Sequence, residues 1–289
     1  MKKTTRQDYE ERMLRVLLHI RDNLDRNPGL DELAAVAHFS PYHFHRIFRG
    51  MVGESLQSHL RRLRIEQAAF RLATTDDAVI QVALGAGFES HAAFSRAFRA
   101  VMGCSPSDWR ARGTDQVVGT NPAALLRCPT EEEKMDVKIV QEDEQRVAFV
   151  RHTGPYDQCD QAWDRLCTHL GAAGRLGPDC RFIGLCYDDP DITPADKLRY
   201  DACVSVDADF QPEGDIGVQV LPGGCFAQTT HFGPYENLSI TYSRLLGQWL
   251  PASGRRFKQE VIREVYLNDP QTAEPEDLVT DILLPLEEA

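Results

Sequence analysis

Long apolar runs are missing from this 289-residue chain. None approaches the roughly 18 residues that a membrane-spanning helix needs. The basic start, MKKTTRQDYEERM, has no apolar stretch behind it, so no secretory signal is expected and the cytoplasm is the expected compartment. The cysteines, at 104, 128, 159, 167, 180, 186, 203 and 225, form no CxxC pair and no Cys/His cluster of zinc spacing. Reduced thiols are expected, with no structural metal. A phosphate-cradling glycine loop and a serine-nucleophile elbow are also missing. His43 and His45, two apart on a helix, point about 200° away from each other and cannot share a metal. No cofactor is expected.

What is present fits a globular protein, with 42% hydrophobic and 26% charged residues. The length suits two domains of roughly 100–200 residues each. The net charge of −12 hides an asymmetry. Residues 1–113 carry 17 Lys+Arg against 13 Asp+Glu, and the remainder 15 against 31. A polyanion partner would therefore be confined to the first part.

Two texture changes set the boundaries. The first domain, 1–112, reads as helices over 8–112, with Leu14, Leu17, Leu18 and Leu24 near a 3.6-residue period, a stop at Asn27-Pro28-Gly29, and Ser40-Pro41 opening a further helix. A long helix is expected over roughly 56–73. A stretch with two prolines and an EEE run, 113–135, reads as a linker. Residues 136–289 alternate strand-length apolar runs (VAFVRH, RFIGLCY, GVQVL) with two helical stretches, an α+β pattern.

Each part contains a repeat. FSPYHFHRIFRGMVGESL (39–56) lies over ESHAAFSRAFRAVMGCSP (89–106), with identities at Ser40/Ser90, Phe44/Phe94, Arg46/Arg96, Phe48/Phe98, Arg49/Arg99, Gly53/Gly103 and Ser55/Ser105. In each copy a helix rich in small residues precedes a turn and a second helix, as in a helix-turn-helix. One face of that second helix is apolar. The other carries Tyr42, His45, Arg46 and Arg49 in the first copy, and His91, Ala92, Ser95, Arg96 and Arg99 in the second. Hydrogen-bonding side chains mixed with arginines suit a helix lying in a DNA major groove. Because Ala92 and Ala93 leave the second copy poorer in polar groups, base reading is expected to rest more on the first.

The later repeat sets VAFVRHTGPYDQCDQAWDRLCTHL (147–170) over FAQTTHFGPYENLSITYSRLLGQWL (226–250), matching His152/His231, Gly154/Gly233, Pro155/Pro234 and Tyr156/Tyr235. With IGLCYDDP (183–190) over IREVYLND (262–269), Tyr187 matches Tyr266 and Leu185 falls against Glu264. Two strand–helix–strand–strand modules related by a pseudo-twofold axis are expected, with a small-molecule cleft between them. An acid whose counterpart is apolar is costly to bury without purpose. It could pair with a cationic ligand or act as an acid, unless the face is solvated or Arg181 or Arg263 neutralises it. His152 and His231 are expected to make structural hydrogen bonds near strand ends.

Residues 8–112 resemble the AraC-type DNA-binding domain in SPYHFHRIFR, LRRLRIEQA (60–68), ALGAGFESHAAFSRAFRAVMG (83–103) and SPSDWR (105–110). That resemblance implies two helix-turn-helix units on successive major-groove segments of double-stranded operator DNA. Residues 136–287 resemble the GyrI-like effector domain of Rob-like regulators in HTGPY, LCYDDPDITPADKLRYD and REVYLND. It implies a pocket for cationic or antibiotic-like amphipathic molecules, with Glu264 as its acid and Tyr156, Trp163, Tyr187, Tyr242 and Tyr266 as candidate aromatic walls. Expected partners are DNA and a small-molecule effector, with RNA polymerase an open further one. No membrane partner is expected, and the chain would act as monomer or homodimer. Two alternatives stay open from the same resemblance: a small-molecule hydrolase using Glu264, and a gyrase-inhibitory protein-binding module.

Overall fold

The computed structural model describes residues 4–112, 135–190 and 193–288. The expected linker, 113–135, lies outside the described residues except for Met135. The chain divides into two compact units, each described by itself.

The helical unit begins with α1 (Thr5–Asp22), whose Tyr9, Met13, Val16, Leu17 and Ile20 form one buried stripe. Helices α2 (Leu30–Ala37) and α3 (Pro41–Val52) make the first helix-turn-helix, and α5 (Val79–Gly85) and α6 (His91–Met102) the second. Between them runs α4 (Leu56–Thr74), 19 residues and so about 28 Å at about 1.5 Å per residue. The last helix, α7 (Pro106–Arg112), is clamped onto α4 where the Trp109 indole N–H donates to the Ala69 carbonyl at 3.0 Å.

The duplication is visible as punctuation. Ser40 and Ser90 cap α3 and α6 by accepting from His43 N (3.5 Å) and Ala93 N (3.2 Å). Gly53 (φ 84°) and Gly103 (φ 77°) end those helices in the left-handed region. Ser55 and Ser105 cap the next helices. Inside, Phe44–Phe48 and Phe94–Phe98 repeat one geometry, with centroids 5.7 and 5.4 Å apart and both pairs inclined at 54°. The turns differ. The left-handed residue is His38 (φ 56°) in the first and Gly87 (φ 79°) in the second, each followed by a phenylalanine. The spacing between copies is therefore 49 before the turn and 50 after it, with Glu89 the extra residue.

The second unit is one antiparallel sheet of eight strands in the order β1-β6-β8-β7-β3-β4-β2-β5. The strands are β1 (Lys138–Glu142), β2 (Gln145–Thr153), β3 (Phe182–Cys186), β4 (Arg199–Ser205), β5 (Gly217–Leu221), β6 (Gly224–Phe232), β7 (Arg263–Tyr266) and β8 (Val279–Pro285). Exchanging the two modules maps this order onto itself. Each module lends its leading strand to the other, since β1 pairs with β6 and β5 with β2.

That exchange bends the sheet. Only Asp143 and Glu144 connect β1 to β2, a reach of about 11 Å at 3.8 Å per residue step. In a flat sheet those strands would stand about 29 Å apart, at 4.8 Å per strand. The sheet must curl until its ends meet, and they do. A Cβ on Gly223, between β5 and β6, would lie 2.8 Å from the Glu142 carbonyl and the Glu144 nitrogen. The inside of the curl is filled by Val147, Ile183, Leu185, Cys203, Leu221, Phe226, Val265 and Leu283. Helices α8 (Asp160–Ala172) and α9 (Leu238–Arg244) cover the other face, α8 burying Ala162, Leu166 and Leu170 against Ala148, Val150, Ala202 and Val204. After α9 the chain passes through a π turn, Leu245–Trp249, into α10 (Leu250–Ser253), where Pro251 has no N–H to donate.

Register corrects one expectation. Gly154 N donates to Leu198 O and Gly233 N to Leu278 O, both at 2.9 Å; Tyr187 N donates to Arg199 O and Leu267 N to Val279 O. The offset between modules is thus 79 in the first strands and 80 in the last two. Glu264 pairs directly with Gly184, while Leu185 pairs with Arg263 on the opposite face. The counterpart of Glu264 is Gly184, not Leu185.

The αL position of His38 generates a stability prediction. A Cβ there costs energy that glycine avoids. His38→Gly is expected to raise the urea midpoint by up to about 1 kcal/mol of stability, and Gly87→Ala to lower it by a similar amount. Equal and unchanged midpoints would remove the strain argument.

Candidate functional site

The face under the helices gathers the candidate residues around Glu264, which is 4% exposed. Its neighbours follow from the pleat. Period two puts Tyr266 on the same face of β7, and direct pairing puts Gly184 and Phe182 of β3 beside them. Tyr266 donates to Glu264 Oε2 at 2.8 Å. Tyr242, from α9, donates to Oε1 at 2.7 Å, and the Cys186 thiol reaches the same oxygen at 3.4 Å. Both oxygens accept from neutral donors.

The donors are themselves held. Trp163 Nε1 donates to Tyr200 Oη at 3.0 Å, and Tyr200 and Tyr266 share a hydrogen bond of 2.9 Å. Since Tyr266 gives its proton to Glu264, Tyr200 donates to Tyr266. The chain Trp163→Tyr200→Tyr266→Glu264 points every proton toward the acid. Around it, the Tyr235 ring meets Tyr266 at 5.4 Å, Trp163 meets Tyr266 at 5.7 Å, and Tyr156 meets Tyr200 at 6.0 Å.

Burial pushes the Tyr200 and Tyr266 hydroxyls well above their ordinary range, and the Glu264 charge adds to it. The same causes move Tyr235 up to about 12 and the Cys159 thiol to about 11. All remain protonated at neutral pH. No Lys, Arg or His among the described residues bonds to Glu264. Arg181 pairs instead with Glu142 at 2.6 Å. Arg263 lies on the opposite face, donating to the Pro222 carbonyl and resting 4.5 Å over the Phe226 ring.

Gly184 makes this packing possible. A Cβ there would stand 2.5 Å from Tyr266 Oη and 2.6 Å from Tyr200 Oη, closer than real side chains come. The two hydroxyls meet over a residue that has no side chain.

Five candidate walls were expected. Tyr242 and Tyr266 touch Glu264 directly, and Trp163 reaches it through Tyr200. Tyr156 lies one ring further out, its hydroxyl donated to the Asp188 carbonyl at 2.7 Å. Tyr187 does not join them. Odd positions of β3 face the inside of the curl, where Tyr187 donates to Asp201 at 2.9 Å between the Arg151 and Arg199 guanidinium groups. Arg151 holds the fully buried Asp201 by two bonds, at 2.7 and 2.8 Å. Tyr200, Tyr235 and Cys186 also line the acid, beyond the residues expected there. Tyr235 was within reach, since the repeat matches it to Tyr156. The paired histidines hold their turns: His152 Nε2 donates to Pro155 O and His231 Nε2 to Pro234 O, at 2.9 and 3.2 Å.

On the helical unit the two polar faces differ. In α6, His91, Ala92, Arg96 and Arg99 are exposed and Ser95 is half-buried. In α3, Tyr42 and Arg49 are half-buried, while His45 is 1% and Arg46 9% exposed. Arg46 stacks 4.5 Å over the Tyr42 ring. In this structure the polar face of α6 is open and that of α3 is largely covered.

Residues 135–287 match the GyrI-like small molecule binding domain, and residues 33–112 a helix-turn-helix domain. The HTH-type transcriptional activator AarP of Providencia stuartii is 38% identical over 111 residues, covering 38% of this chain and 79% of that one. A DNA gyrase inhibitor of Erwinia billingiae is 26% identical over 139 residues, 47% of this chain and 88% of that one. Among solved structures, the EcmrR–DNA complex in EcmrR-RPo aligns at 21% identity and a TM-score of 0.47, over 53% of this chain and 58% of that one. No helix among the described residues is long and apolar enough to cross a membrane. The chain belongs to the GyrI-like small molecule binding family and joins that domain to an AraC-type helix-turn-helix domain, as a DNA-binding transcriptional regulator.

Proposed function

We propose that this regulator responds to a hydrophobic cation bound against Glu264. One observation carries the reading: a buried acid satisfied only by neutral donors, ringed by aromatic side chains, with no basic residue bonded to it among the described residues. Such a charge is costly in the interior, and a cation replacing the neutral surroundings recovers Coulomb energy of about 3 kcal/mol at 5 Å and an effective dielectric of 20. Aromatic faces add about 0.5–2 kcal/mol for the same ligand. The effector shifts DNA binding to the extent that the two conformations of the regulator bind it unequally.

DNA contact is assigned to the basic helical unit, with Arg96 and Arg99 of α6 as its open cationic pair. Reading by both units requires His45 and Arg46 to become exposed.

Four outcomes are expected. Glu264→Gln weakens tetraphenylphosphonium binding at least about tenfold, or 1.4 kcal/mol, and leaves the neutral analogue triphenylphosphine oxide within about twofold; calorimetry giving equal losses for both would overturn the cation reading. Gly184→Ala forces Tyr200 and Tyr266 apart, costing about 1–3 kcal/mol of stability and lowering tetraphenylphosphonium affinity; retention of both would show that the tyrosine pair is dispensable. In binding to DNA selected in vitro, Arg99→Ala lowers the slope of log affinity against log salt by about 1. In the same assay Arg96→Ala costs more than Arg46→Ala. The reverse order would return the main reading role to α3.

A further inference from the structure

One row of residues crosses the helix-covered face of the sheet. Reading through the pairs β6–β8, β8–β7, β7–β3, β3–β4 and β4–β2, it runs Thr229, Ile282, Glu264, Gly184, Ala202, Val150. The pseudo-twofold axis lies at its centre, so the counterparts are Glu264/Gly184, Ile282/Ala202 and Thr229/Val150. The second module has polar residues where the first has a glycine and a valine. Both novelties flank the fully buried Ile282.

Thr229 is 4% exposed and donates from Oγ1 to the carbonyl of Asp136 at 2.9 Å. Asp136 lies two residues before β1, where the chain enters the sheet. The first module cannot make this bond, because Val150 has no hydroxyl. Two residues further along β6, His231 makes a second contact of the same kind. Its Nε2 donates to Pro234 O, so Nδ1 accepts from Thr241 Oγ1 at 2.8 Å. Thr241 belongs to α9, next to Tyr242, which holds Glu264. The counterpart of Thr241 is Ala162, again without a hydroxyl. The polar departures of the second module thus lie in one connected set, from Asp136 through β6 and α9 to the acid.

We propose that Thr229 is a positioning residue that couples the state of Glu264 to the segment entering β1, so that β6 carries the effector signal toward the DNA-binding domain. The proposal rests on the effector reading above for its biological use, but the coupling is measurable without any ligand. A coupling between two sites is reciprocal and shows as non-additivity in a double-mutant cycle.

The test is amide hydrogen exchange of residues 137–142 in the full chain, for Glu264→Gln, Thr229→Val and both together. Glu264→Gln is expected to change exchange there by about threefold or more, and to have no further effect once Thr229→Val is present. Thr229→Ser, which keeps the hydroxyl, should retain the response. The strand β5, the counterpart of β1, is the control: general loosening would move its exchange as well, whereas the proposed coupling leaves it unchanged. Additive effects, an unchanged 137–142 segment in Glu264→Gln, or equal changes in β5 would overturn the proposal. Calorimetry with tetraphenylphosphonium separates the two readings. Non-additivity without probe binding keeps the coupling and removes the cation effector; probe binding with additive exchange does the reverse.

Discussion

Everything in the effector domain is arranged around a buried carboxyl group that neutral donors hold. Glu264 sits under two helices, and among the described residues its oxygens accept from Tyr242, Tyr266 and Cys186 and from no basic side chain. A buried charge of this kind is tolerable only if every lone pair directed at protein finds a proton. That requirement propagates outward. Tyr266 must be oriented by Tyr200, Tyr200 by Trp163, and Gly184 must stay bare for the two hydroxyls to meet. The arrangement satisfies the acid with neutral donors, with no basic side chain bonded to it among the described residues.

Duplication supplies the scaffold and makes the departures from symmetry interpretable. The curled sheet needs both modules, because each lends its first strand to the other and the two-residue connections force its ends together. On that common backbone the first module carries Val150, Ala162 and Gly184 where the second carries Thr229, Thr241 and Glu264. The first set packs; the second makes polar bonds. A similar division holds in the helical domain. The caps, terminal glycines and phenylalanine pairs of α3 and α6 are alike, yet one polar face is buried and the other open.

Much of this was legible in the residues. The offset of 50 located both helix-turn-helix units and matched the serines and glycines that the structure places at their helix ends, because capping is a local interaction within a few residues. The HxGPY pair located the strand-to-helix turns, and the acid stood out against an apolar match in the other module, a match one residue out of register. The parity of the later strands was not legible. A single extra residue between modules changes which side chain faces which way, so Leu185 was matched to Glu264 and Tyr187 placed on the wrong face of the sheet.

The sequence by itself determined the two duplications, the domain types and the identity of the central acid, since these depend on spacing and composition along the chain. Tertiary structure alone decided that Gly184 is the acid's counterpart, that Tyr200 and Tyr235 belong to its surroundings, and that Arg46 is buried while Arg96 is exposed. The reason is physical: pairing register and burial are set by strands and side chains remote in sequence, and no local pattern records them.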